Sequence, residues 1–168
     1  MRSVNSELLI LAIPFGYLVA VAPMLAVIDF RSHRLPNSLT LPGIVISLLS
    51  VLGVSILENK WLELVVTIGV SVLILIIGYP LARAELLGMG DIKLLIAFAL
   101  PLAFISPLAL LIGVLISLAL ANLVLLPKMI LRRLSTKAAI PMGPYLLLGL
   151  LGIFGFELSE LMPAGVWS

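Results

Sequence analysis

The sequence predicts an all-α membrane protein, a six-transmembrane-helix bundle in which helices four and five form a short hairpin. Three observations predict it. The 168 residues are 62% hydrophobic and only 11% charged, against roughly a quarter charged in a soluble domain. The apolar residues gather into five uncharged runs, Leu8–Ile28, Leu39–Leu57, Leu64–Ala82, Leu94–Pro127 and Ala138–Phe156. The basic residues between the runs, Lys60 excepted, then fall on one side of the membrane in a single consistent topology.

The first run has 21 residues and follows Arg2. It imitates a signal peptide but exceeds the ~7–15-residue apolar core of one, and is read as a retained first helix. The second and third runs have 19 residues each, close to the ~20 that cross a ~30 Å hydrocarbon core. Pro36-Asn37 reads as a turn before helix two, with Asn37 or Ser38 as its cap.

The fourth run, 34 residues long, decides the topology. Arg83 and Lys93 precede it; Lys128, Arg132, Arg133 and Lys137 follow it. Basic segments favour the cytoplasm, so both ends of the run lie on one side and it must cross twice. Ala103-Phe-Ile-Ser-Pro107 is the expected reversal, because Pro107 disfavours helix at Ser106. About 15 residues then remain per helix, or roughly 22 Å at 1.5 Å per residue. Helix five is expected to extend into Lys128–Leu134. Helix four, beginning at Asp91, would start below the headgroups in a protein-lined, wet cleft. A helix four starting near Glu85 and tilting would instead leave Asp91 at the interface. Ile140-Pro-Met-Gly-Pro-Tyr145 opens the last helix as a Pro-initiated start.

This topology puts both termini outside and gathers Arg31, Arg34, Arg83, Lys93, Lys128, Arg132, Arg133 and Lys137 on the cytoplasmic side, against Arg2 and Lys60 outside. Trp61 and Trp167 fall in outer segments, where interfacial tryptophan is common. With no internal repeat and short loops, residues 1–168 read as one membrane-embedded domain. The absence of cysteine excludes disulfides, thiol nucleophiles and cysteine-ligated zinc. One histidine, His33, leaves little for a metal site, and neither metal nor cofactor is expected. The net charge of +2 comes from loop residues that report orientation, not nucleic-acid binding.

The chain has two aspartates, Asp29 and Asp91, each at the edge of an apolar run. An ionisable residue there is costly without a partner or a function. The plain alternative is that Asp29 ends helix one, Gly88 and Gly90 break a loop, and Asp91 caps helix four. Glycines also leave the backbone free to turn and let another segment approach closely. Lys93 would ion-pair with Asp91 or Glu85, or snorkel.

Taken together, Asp29 with Leu35-Pro-Asn37, Gly88-Met-Gly-Asp-Ile-Lys93 and Pro141-Met-Gly-Pro144 resemble the type IV prepilin peptidase family, the bacterial branch of the GxGD aspartic peptidases. The resemblance is to a short, Tad/Flp-type form and covers essentially the whole chain, including the 62-residue separation of the aspartates (91 − 29). It implies that Asp29 and Asp91 are catalytic, and that Gly88 and Gly90 shape the turn presenting Asp91. It further implies a multi-pass protein of the cytoplasmic membrane that cleaves the basic leader of prepilin-like proteins at the cytoplasmic face. Long members of the family carry an amino-terminal region with paired cysteines and an N-methyltransferase activity; this chain has no cysteine and almost no such region, so methylation is not implied. Two neighbouring carboxylates sharing a proton can activate water and protonate the leaving amine without a metal. The competing readings are a small proton-coupled transporter, whose membrane aspartates relay protons, and a structural subunit of a pilus or secretion machine.

Overall fold

The structure is a computed structural model that describes residues 2–32, 35–84, 87–130 and 142–161. They form six α-helices: α1 (Arg2–Ser32), α2 (Asn37–Glu58), α3 (Trp61–Arg83), α4 (Met89–Ile105), α5 (Pro107–Ile130) and α6 (Gly143–Glu160). Four of these contain stretches long and apolar enough to cross a bilayer, Ser6–Ser32, Asn37–Glu58, Trp61–Arg83 and Pro107–Val124. The chain is therefore an all-α, multi-pass membrane protein. Six spans are expected, the fourth and fifth of them short; α4 and α6 do not reach the crossing standard, whereas α5 does. Gly88 and Ser106 bound α4 at 17 residues, roughly 26 Å at 1.5 Å per residue. The 18 residues of α6 include Glu157 and Glu160.

Several boundaries differ from expectation. Helix α1 continues through Pro14 and Pro23 to Ser32, so Asp29 lies inside its last turns and does not end it. The cap of α2 is Pro36, in extended conformation and without a side-chain capping bond. Neither Asn37 nor Ser38 caps; the amides of Leu39 and Thr40 bond back to the Pro36 carbonyl instead. The reversal between α4 and α5 is a single residue, Ser106, at φ −158° and ψ 114°. Its Oγ accepts from the Ala109 amide at 3.3 Å, capping α5. Only the α4 arm of this hairpin is short, because α5 runs 24 residues and passes the end of the apolar run. His33, Arg34, Glu85, Arg132, Arg133, Lys137, Pro141 and Trp167, on which parts of the reading relied, lie outside the described residues.

Helix α4 forms the centre and packs against α2, α3, α5 and α6. Leu94, Phe98 and Leu102 are fully buried, facing a core that includes Leu18 of α1, Val51 of α2 and Phe154 of α6. A helix that is apolar all round is buried, or in a membrane faces lipid. Helix α3 takes the second course and exposes Leu62, Val65 and Ile76. Several interior polar groups bond within the bundle, although the Thr67 and Ser71 hydroxyls of α3 are buried with no hydrogen-bond partner among the described residues. The Ser47 hydroxyl of α2 donates to the Ala97 carbonyl of α4, and the Tyr17 hydroxyl of α1 donates to the Leu39 carbonyl of α2, each at 2.8 Å. This packing brings the end of α1 beside the starts of α2, α4 and α6.

Candidate active site

At that end of the bundle a pocket of roughly 400 Å³ is lined by Asp29, Leu35, Asn37, Gly88, Met89, Gly90, Asp91 and Lys93. Asp29 is 4% exposed and Asp91 9%. The two carboxylates are near enough for their charges to interact. Packing thus gathers into one cavity two acids that are 62 residues apart (91 − 29).

The glycines around Asp91 act through space and not through conformational freedom. Gly88 is the N-cap of α4, at φ −70° and ψ 134°, and no described glycine has positive φ. Asp91 is the third helical residue, its amide bonded to the Gly88 carbonyl at 3.0 Å. Asp91 therefore does not cap α4. Its carboxylate folds back over Gly88. A Cβ on Gly88 would lie 2.7 Å from Asp91 Oδ2 and contest the carboxylate's position. A Cβ on Gly90 would lie 2.6 Å from Leu35 Cβ and 3.0 Å from the Leu35 amide nitrogen. The connection from α1 to α2 thus lies directly on the first turn of α4. Of the two properties that glycine offers, freedom to turn and close approach, close approach is the one seen at these positions.

Asp29 is held by a residue to which sequence reasoning had given no role. The Gly143 amide, first in α6, donates to Asp29 Oδ2 at 3.0 Å. A Cβ on Gly143 would come within 2.8 Å of that same oxygen. The signal available in the sequence was the Met142-Gly-Pro144 start of the last helix, where a glycine precedes the proline. The starts of α2, α4 and α6 all open at the aspartates. Their first amides lack intrahelical partners and carry partial positive charge, which favours an anionic carboxylate nearby.

Lys93 has a partner that the sequence did not suggest. Its Nζ donates to Asn37 Oδ1 at 2.7 Å, joining the first turns of α4 and α2 across the rim of the pocket. Among the described residues no group of three or more histidine, cysteine or acidic side chains could hold a metal. The arrangement instead has what proton transfer to and from a water requires, two buried carboxylates facing one solvent-sized cavity.

No curated protein and no solved structure matches the chain. The profile of the type IV leader peptidase family matches residues 16–126, a stretch that holds Asp29, Gly88, Gly90, Asp91 and Lys93 but ends before Gly143. On that match, which covers most of the 168 residues, the chain belongs to the type IV leader peptidase family.

Proposed function

We propose that this peptidase is a membrane-embedded aspartic endopeptidase that removes the basic leader of prepilin-like proteins at the cytoplasmic face of the membrane. The observation that carries the reading is the cavity shared by Asp29 and Asp91. One carboxyl keeps the common proton and polarises the scissile carbonyl, while the other takes a proton from the attacking water. When the tetrahedral intermediate collapses, the proton passes to the leaving amine. The dyad titrates as a unit, so base and acid are roles of the pair. Gly88 and Gly90 leave the room in which Asp91 is presented, and the six helices work as one peptidase domain.

In this reading all six helices cross the cytoplasmic membrane, with both termini outside and the pocket at the cytoplasmic side. Arg31 in the last turn of α1, Arg83 in that of α3, and Lys93 mark that side. Helix α4, at roughly 26 Å, is shorter than the ~30 Å hydrocarbon core, so Asp91 sits below the headgroups in a cleft walled by α1, α2 and α6. A substrate helix lies against the bundle from the bilayer and delivers its leader junction to the cavity. Anionic headgroups screen the basic leader from Arg31 and its neighbours.

Mixing the purified protein, in detergent or vesicles, with a prepilin-like substrate tests this. A shortened product is expected, absent with D29N, D91N and the double variant. Cleavage unaffected by either substitution would rule out the dyad.

A further inference from the structure

The Lys93–Asn37 contact spans the rim of the cavity that holds both aspartates, and neither residue has been given a role in cleavage. An ammonium only donates hydrogen bonds, so the Asn37 atom facing Lys93 must be the carbonyl oxygen. This fixes the orientation of an amide that could otherwise flip. With Oδ1 committed at 2.7 Å, the remaining hydrogen-bonding group of the side chain is the Nδ2 amino group, which has no partner among the described residues. Asn37 is also exposed and lines the pocket. Asparagine is a favoured helix cap, yet here it is the first helical residue of α2 and makes no capping bond. Its side chain is turned instead to a lysine on another helix.

From this we infer that Asn37 is a substrate-binding residue: its Nδ2–H donates to a main-chain carbonyl of the extended leader peptide beside the scissile bond. Lys93 is a positioning residue that acts through Asn37 by holding the amide donor-outward. The inference rests on the endopeptidase reading above. The ligand chemistry is a peptide backbone, because an amide donor at the rim matches the carbonyls of any extended segment laid across the dyad, independent of side chain. The acidic lining of the pocket, Asp29 and Asp91, has no donor to offer those carbonyls once it is engaged with water and the scissile group. Asn37 supplies a neutral side-chain donor at the rim. A bond made equally in the bound complex and in the transition state affects substrate affinity and leaves the chemical step alone.

The experiment is steady-state cleavage of a prepilin-like substrate by the purified full chain, with binding of the same substrate measured on the D29N/D91N background. N37L and N37D are each expected to raise KM and Kd about tenfold, the size of one lost hydrogen bond, with kcat within about twofold of wild type. K93M is expected to raise KM by about threefold on the natural chain and by nothing further when combined with N37L. N37D is the discriminating variant, since it keeps an acceptor for Lys93 and loses the donor. Wild-type KM for N37D would reduce the contact to a clasp between α2 and α4 and overturn the inference. So would a fall in kcat in place of a rise in KM, or an equal cost of K93M with and without N37L. If N37L fails to fold, N37D and the K93M binding measurement decide the matter alone. Failure of the wild-type chain to cleave would sink the endopeptidase reading and this inference with it, whereas normal wild-type cleavage with unchanged KM in the variants sinks the inference only.

Discussion

The two ends of the helix bundle treat charge in opposite ways. At one end Glu7 of α1 pairs directly with Lys60 before α3, at 2.6 and 2.7 Å, and Ser6 donates to Glu58 at the end of α2 at 2.7 Å. At the other end, Asp29 takes a backbone amide of α6, Asp91 folds over the start of α4, and Lys93 bonds a neutral amide. Direct pairing offsets the cost of bringing a charge toward the membrane interior, and it also neutralises the acid. A backbone amide stabilises a carboxylate while keeping its own proton. The first arrangement suits a clasp. The second holds two acids against the backbone at one cavity, the arrangement that the proposed dyad needs.

That contrast can be broken or sharpened by substitution. The largest effect is expected from D29N and D91N, each of which preserves shape and removes the shared proton. Cleavage should fall by about a thousandfold or more, the upper part of the range for general acid–base catalysis, while size-exclusion and helical circular dichroism profiles stay as in wild type. Next comes G143A, whose Cβ would sit 2.8 Å from Asp29 Oδ2. Displacing that carboxylate by a fraction of an ångström to an ångström should lower kcat by about a hundredfold, with substrate binding retained. A G143A enzyme of wild-type kcat would mean that α6 does not position Asp29.

G90A should act mainly on packing. Its Cβ would meet Leu35 Cβ and the Leu35 backbone at 2.6 to 3.2 Å, and main chain cannot yield as a flexible side chain can. Unfolding in mixed micelles should show a loss of about 1–3 kcal/mol, the usual cost of overpacking, together with a smaller loss of activity than in G143A. The smallest effect is expected at the opposite end. E7Q and K60M should lower stability by about 1 kcal/mol or less, as for a partly exposed ion pair, and leave kcat and KM within about twofold. A loss of activity as large as that of G90A would show that the clasp and the pocket are coupled and that the two ends do not have separate roles.

Much of the candidate site could be read in the residues themselves. Asp29 and Asp91 stand out because ionisable groups are scarce in a chain so apolar, and Gly88 and Gly90 because they flank one of them. Freedom to turn and close approach were both open as reasons for glycine there, since a spacing pattern does not distinguish a backbone that needs a turn from one that needs room. The room at Gly90 is required by Leu35, a residue 55 positions earlier (90 − 35), and no local pattern reports that. Gly143 was passed over for the same reason. Its amide becomes significant only when α6 packs with its first turn on Asp29.

The amino-acid order alone determined that the chain is helical and membrane-embedded, where its apolar segments break, and that Pro107 breaks the helix at Ser106. Those properties follow from local sterics and from the hydropathy of each segment, which need no neighbour to act. The tertiary structure decided that α4 is the central helix and α3 a peripheral one, that Lys93 turns to Asn37, and that an amide of the last helix holds Asp29. Lipid tails and leucine side chains are about equally apolar, so composition does not distinguish a helix that will face lipid from one that will face protein. Only the packed bundle assigns the neighbours, and with them the groups that each carboxylate meets.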